Sequence, residues 1–374
     1  VRCGWGLERN RNGGSAAAAI MALPAVAGKF GVRGGGYSMS NSLAFGLRAA
    51  QWIDAPEPPA RIVNMNHLGR ALTEYTTPPV QMLFVYNCNP ATTMPDQNRV
   101  LEGLARDDLF TVVFEQVFTD TARYADLILP ATTFLEHYDI AKGYGPISLQ
   151  LVRPVIEPEG EARPNADIFS AIAERLGVGH AEEDAETLLR ITGTMGDRGA
   201  ELLEKGSATP PYEGRPVQFV DVLPRTADEK VHLFPDAIDG VPTTGMYEYQ
   251  PDPATDRFPL ALISPATDTS ISSTLGELRT RAAVLHIHPN DAAARGITQD
   301  DPLRVFNALG EMQCPANLTS DIRRGTVAFS KGVWRKNSYN GSTSNALVPD
   351  TLTDLGGGAC FNDARVEVAL LGRH

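Results

Sequence analysis

The stretch PDPATDRFP at residues 251–259 separates two regions whose apolar residues recur with different periods, and no other feature limits the fold as tightly. A hydrophobic repeat fixes the face an element must bury, so a change of period marks a change of architecture. Before the stretch, Val80–Tyr86, Leu109–Phe114 and Asp126–Pro130 are short, largely apolar runs, as strands covered on both faces of a parallel sheet must be. A polar helix ending near Arg106 and a turn or short helix at Thr119–Arg123 lie between them. That order predicts a doubly wound, mostly parallel α/β sheet. Ligands in such sheets sit beyond the C-terminal ends of the strands, so loops 87–90, 115–121 and 130–137 are the candidate ligand loops.

Upstream, Ser15 is the expected N-cap of an Ala-rich helix that ends near Gly28–Gly31, before the run Gly34-Gly35-Gly36. Residues 54–60 form a Pro-rich connection, 164–177 an amphipathic helix stopped by Gly177, and 184–205 a helical excursion within irregular chain. After residue 259 the period becomes two. Leu260–Ser264, Val284–His288, Leu303–Asn307, Met312–Leu318, Thr326–Ser330 and Arg365–Leu370 read as strands, with one helix at Asn290–Arg295. Several short strands at even spacing suggest a β-barrel. The expected domains are residues 1–254 and 255–374.

Composition narrows the function. A net charge of -12 argues against nucleic acid as a partner, because no basic stripe is present to replace phosphate counterions. No apolar run reaches the ~18–20 residues of a membrane span. Of the 33 basic residues 27 are Arg and 6 Lys; this suits phosphate contacts, although a GC-rich genome gives the same bias. Cys3, Cys88, Cys314 and Cys360 lie far apart with no C-x-x-C, which excludes an iron–sulfur or zinc site of local spacing. The chain opens on Val1-Arg2-Cys3 without Met or signal peptide, and is expected to be part of something longer.

Several residues could meet a nucleotide. Asn87 and Asn89 offer amides able to read a base edge, with Pro90 fixing the turn; the alternative is a plain Asx-turn. Glu115 follows a strand, where a carboxylate can accept two N–H bonds from guanine or be merely solvated. Ser264 and the cluster Ser270, Ile271, Ser272, Ser273, Thr274 supply small donors suited to pyrophosphate. His286 and His288 share a strand face and are half a metal site or structural, while Glu136-His137 is no dyad by itself. No P-loop, nucleophile elbow or G-x-G-x-x-G followed by an acid is present.

Taken in order, the motifs GWGLERNRNGG (4–14), ALPAVAGKFGVRGGG (22–36), VYNCNP (85–90), TDTARYADLILPATTFLEH (119–137) and GEARPNADIFSAIAERLG (160–177) resemble the molybdopterin oxidoreductases of the dimethyl sulfoxide reductase type. HPNDAAARGITQDDPLRVFNALGEM (288–312), GVW (332–334) and SNALVPDTLTDLGGGACFND (344–363) extend the resemblance over nearly the whole chain. It implies a double-psi β-barrel after the α/β part, and a bis-molybdopterin guanine dinucleotide cofactor with molybdenum performing two-electron oxygen-atom or hydride transfer. By the same resemblance Asn87, Asn89, Pro90, Glu115 and Thr119 meet a nucleotide arm. Ser264, Ser270, Ser272 and Ser273 hold pyrophosphate and pterin, Asn345 lies near the pterin, and Phe361-Asn362 close the site. Gly6 and Arg9 match the segment beside the metal pocket, where Arg9 would neutralise cofactor or substrate charge.

The family's metal ligand and its optional [4Fe–4S] cysteines lie upstream of such segments. The chain is therefore expected to be the C-terminal, cofactor-holding portion of an enzyme, inactive alone. Its expected partners are the preceding portion, a small-molecule substrate and an electron-transfer subunit. The expected location is cytoplasmic, or periplasmic if an export signal precedes it. A non-catalytic structural subunit of a respiratory-type complex and an unrelated nucleotide-binding module are the competing readings.

Overall fold

The computed structural model describes residues 1–48, 51–52, 61–143, 145–236, 238, 245–268 and 271–372. The connection 54–60 and Ser270 therefore lie outside the described residues. Helix α1 (Gly13–Val26) starts ahead of the expected cap. Ser15 does not cap it; the Asp354 carboxylate does, accepting from Gly14 N–H at 2.8 Å and Ser15 N–H at 2.9 Å. A cap 340 residues away in sequence leaves no local signature.

Helix α2 (Leu68–Thr73) precedes strand β1 (Met82–Tyr86). Helices α3 (Pro90–Thr93) and α4 (Gln97–Leu104) then lead to β2 (Phe110–Glu115) and β3 (Leu127–Pro130). The three strands are parallel and ordered β1-β2-β3. The mixed α/β character is as expected; the three described strands are consecutive, so the reversal of strand order that marks a full doubly wound sheet is not among them. The register pairs Tyr86 with Phe114 and Glu115 with Pro130, so all three candidate loops leave at one edge.

A second, antiparallel sheet was not legible in the sequence. It joins β4 (Asp139–Lys142) and β5 (Leu149–Val152) to β6 (Ser207–Ala208) across three helices, α5 (Asn165–Arg175), α6 (Asp184–Gly193) and α7 (Asp197–Lys205). Phe169 of α5 packs on Phe84, Tyr86 and Phe114 with centroids 5.6, 4.8 and 6.2 Å away.

Six further strands close into a barrel: β7 (Leu260–Ile263), β8 (Leu285–Ile287), β9 (Pro302–Phe306), β10 (Glu311–Leu318), β11 (Thr326–Ala328) and β12 (Arg365–Leu370). Helix α8 (Pro289–Ala293) follows β8. The order around the barrel is β10-β8-β11-β7-β12-β9, with β7–β11 and β8–β10 parallel and the remaining pairs antiparallel. The period of two is kept: Met312, Cys314 and Ala316 of β10 point inward and are fully buried, as are Leu262, Leu285 and Leu303.

His286 and His288 do not make half a metal site. His286 Nδ1 pairs with the Asn317 amide at 2.8 Å, and His288, just past the strand, caps α8 by accepting from Asn290 N–H at 3.1 Å. All four cysteines are free thiols, and no helix among the described residues is long and apolar enough to cross a membrane.

Candidate cofactor site

The site is built where the sheet edge meets the barrel. The short turn after β1 begins with Asn87 at φ 50°, a left-handed conformation that Asn tolerates better than most residues. Asn89 follows, 3% exposed, its Oδ1 accepting from Thr121 N–H at 3.1 Å and Thr121 Oγ1 at 2.8 Å. Pro90 starts α3, where its missing N–H is not needed. After β2, Glu115 is half-buried and its carboxylate accepts from Gln116 N–H at 2.8 Å. Burial raises the Glu115 carboxyl above its ordinary pKa; backbone N–H groups of Gln116 and Cys88 oppose this, and Glu277 adds to it. Thr119 is buried and its Oγ1 accepts from Ala122 N–H at 3.2 Å, so it shapes its own loop.

The third loop is self-contained. Glu136, 5% exposed, accepts from Thr133 N–H at 2.6 Å, Thr133 Oγ1 at 2.8 Å and Glu159 N–H at 2.7 Å, which holds its carboxyl below the usual range. That is a loop brace, with the His137 ring turned to Thr132 Oγ1 at 2.9 Å.

The barrel supplies the opposite wall. Asn87, Asn89, Glu115 and Thr119 face Ser273 and Trp334 across a cleft of about 380 Å³. Trp334 Nε1 donates to Ser273 O at 2.8 Å, and its ring packs against Gly276, where a Cβ would fall 2.0 Å from the indole. No other residue fits there without moving the wall. Arg335 N–H next door donates to the buried Asp120 at 2.9 Å, and Asp120 also accepts from Thr92 Oγ1 at 2.8 Å. The Trp334–Arg335 pair thus ties the barrel wall to the sheet wall.

A second group of expected residues gathers at the end of β7. Ser264 N–H donates to Asn362 Oδ1 at 3.3 Å, and Asn362 N–H donates to Arg9 O at 3.0 Å. The Arg9 guanidinium stands 5.4 Å from the centre of the Phe361 ring. Gly6 is the exposed start of the turn that ends in Arg9, accepting from Arg9 N–H at 3.2 Å. Ser272 is exposed at φ 48°, in the same loop as Ser273. Asn345 joins neither group: its Nδ2 donates to Thr92 O at 2.7 Å, bracing the barrel on α3.

These residues fit a dinucleotide. Asn89 Nδ2 and Ser264 Oγ are buried with no hydrogen-bond partner, which is costly unless a ligand supplies an acceptor. Both belong to groups expected to meet the nucleotide. Sequence reasoning assigned no role to Trp334, Asp120 or Glu277. The GVW motif held the only available signal for Trp334; Asp120 and Glu277 matter through contacts distant in sequence.

Comparisons with known proteins identify the family. Residues 1–175 match the family described as molybdopterin oxidoreductase, and residues 260–365 match the molydopterin dinucleotide binding domain. The probable oxidoreductase YoaE of Bacillus subtilis is 34% identical over 98% of this chain and 56% of its own length. The trimethylamine-N-oxide reductase of Haemophilus influenzae is 27% identical over 92% of this chain and 50% of its own. A dimethyl sulfoxide/trimethylamine N-oxide reductase of Cereibacter sphaeroides is 26% identical over 89% and 49% respectively. The chain thus spans about half the length of the curated relatives it matches. Acetylene hydratase from Pelobacter acetylenicus shares the fold, with a TM-score of 0.70 at 19% identity over 83% of this chain and 47% of that one. The chain belongs to the molybdopterin oxidoreductase family and carries its dinucleotide-binding domain.

Proposed function

We propose that this chain is the cofactor-holding C-terminal portion of a molybdenum oxidoreductase, cradling a bis-molybdopterin guanine dinucleotide between its sheet edge and its barrel. The observation that carries the reading is the cleft in which Asn87, Asn89, Glu115, Thr119, Ser273 and Trp334 converge, with the Asn89 amide left a free donor. When bound, such a cofactor supplies two-electron oxygen-atom or hydride transfer at molybdenum. Relatives named as trimethylamine-N-oxide and dimethyl sulfoxide reductases support oxygen-atom transfer as the class.

The chain's own residues position and neutralise. The Glu115 carboxylate accepts the paired N–H donors of guanine, and that contact draws its raised pKa back down. Asn87 and Asn89 address the base edge, while Thr119 keeps the loop in place. Ser264, Ser272 and Ser273, with Ser270, meet pyrophosphate and pterin, and Phe361-Asn362 close over them. Gly6 and Arg9 flank the metal pocket. We read the barrel as double-psi, which its two parallel pairs support, and place the domain boundary near residue 255. A small substrate and an electron-transfer partner complete the reading.

Metal and pterin analysis of the native full-length protein tests it. Molybdenum with about two guanine nucleotides per metal is expected; a purified protein with neither would sink the proposal.

A further inference from the structure

We propose that one face of the β1-β2-β3 sheet docks apolar helices of the enzyme portion that precedes this chain. The inference rests on the reading of the chain as a C-terminal portion, and says where the two portions meet.

Strand alternation sends Met82, Phe84 and Tyr86 of β1 to one face of the sheet, and Leu83 and Val85 to the other. The register extends the first face across the sheet. Met82 stands beside Phe110, Phe84 beside Val112 and then Leu127, and Tyr86 beside Phe114 and then Leu129. Every position on that face is apolar or aromatic. The second face is covered by the chain's own crossovers. Leu83 packs against Val100 and Leu104 of α4, and Val85 and Val113 against Ala122 of the turn between β2 and β3. The first face meets Phe169 of α5 at Phe84, Tyr86 and Phe114, and α5 buries none of its own residues fully. Met82 is left 56% exposed, Phe110 and Tyr86 49% each, and Leu127 44%.

Parallel sheets carry helices on both faces, and a contiguous apolar patch left in solvent marks an interaction surface. The occupant follows from topology. Crossovers between parallel strands are right-handed, so strands added in one direction send all their crossovers to one face. Here β1, β2 and β3 advance in one direction, and both crossovers lie on the Leu83–Val85 side. Strands that wind the opposite way from β1 place their helices on the other face, which is the doubly wound arrangement. The curated relatives, of which this chain spans about half, carry the residues to build them. A second copy would instead bring the same bare face and the same net charge of -12, setting sheet against sheet and like charge against like.

Thiol labelling of Phe110→Cys and Met82→Cys, read peptide by peptide in a mass spectrometer, tests the surface in the 374-residue chain and in the full-length protein. Native Cys314, a fully buried free thiol, serves as the folding control and should stay unreactive in both. The two introduced thiols are expected to react at least about tenfold more slowly in the full-length protein than in the isolated chain. Equal rates in the two folded proteins overturn the proposal. Rates in the full-length protein that match those in urea overturn it too, whatever the isolated chain does. Protection in the isolated chain that grows with its concentration assigns the face to a second copy, and likewise overturns it. None of these results touches the cofactor reading, which falls if the full-length protein lacks molybdenum and pterin.

Discussion

The barrel and the parallel sheet are built from similar residues but hold themselves together differently. The barrel closes, so all its strands find partners and its inward residues, among them Leu262, Leu285, Ile287, Leu303 and Met312, reach full burial in one core. The three-stranded sheet stays open. Leu127 of β3 is 44% exposed and Phe110 of β2 is 49% exposed. What anchors the sheet is a set of polar ties to the barrel. Asp96 N–H donates to Val348 O at 2.8 Å, Thr343 N–H donates to Gln97 Oε1 at 2.9 Å, and the Arg70 Nη2 donates to Asp350 Oδ1 at 2.6 Å. A closed apolar core supplies rigidity without help. An open sheet borrows it through directional bonds, and the cleft lies where that borrowing happens.

The comparison breaks most readily at the cores. Leu303→Ala removes a fully buried barrel side chain and is expected to cost about 2–5 kcal/mol. Leu127→Ala, on the exposed side of the sheet, should cost under about 1 kcal/mol. Urea unfolding of the two variants checks this, and equal losses would show that the sheet is as tightly packed as the barrel.

The polar ties come next. Burial pushes the Asp350 carboxyl up, but the Arg70 fork, helped by His67 and Arg99, more than offsets it and holds the group below the usual range. A carboxylate depressed in the folded state stabilises fully above its unfolded pKa of about 4, and that stability is lost as pH falls through the lower folded value. Asp350→Asn should therefore destabilise by about 1–2 kcal/mol at neutral pH, the Arg70 side being partly exposed. Its deficit against wild type should shrink below about pH 4. Thermal melts across pH would show it; a constant deficit would mean that the carboxylate charge is not what ties the two parts.

The smallest effect concerns helix α1. Asp354→Ala should cost about 1 kcal/mol by freeing two N-terminal amides, whereas Ser15→Ala should be neutral or slightly stabilising. The Ser15 hydroxyl is buried with no partner, so its removal strands nothing. A Ser15→Ala protein that melts well below wild type would return the capping role to Ser15.

Much of this was legible in the chain itself. The period change at 251–259 announced the barrel, because strands that bury one face must alternate, and all six were found to within a few residues. The apolar runs announced the parallel strands and with them the edge from which Asn87 and Glu115 project. The short strands β4 to β6 left no such mark, since strands of four and two residues carry too little periodicity to separate from loop.

Local sequence determined which elements form and which loops leave the sheet at one edge, because periodicity and turn chemistry act over a few residues. The tertiary structure alone decided which groups meet. Asp354 caps a helix 340 residues away, Trp334 rests on Gly276, and Arg335 N–H docks on Asp120. Such contacts follow from barrel closure and from hydrogen bonds that span the whole chain, and nothing in the neighbouring residues of either partner records them.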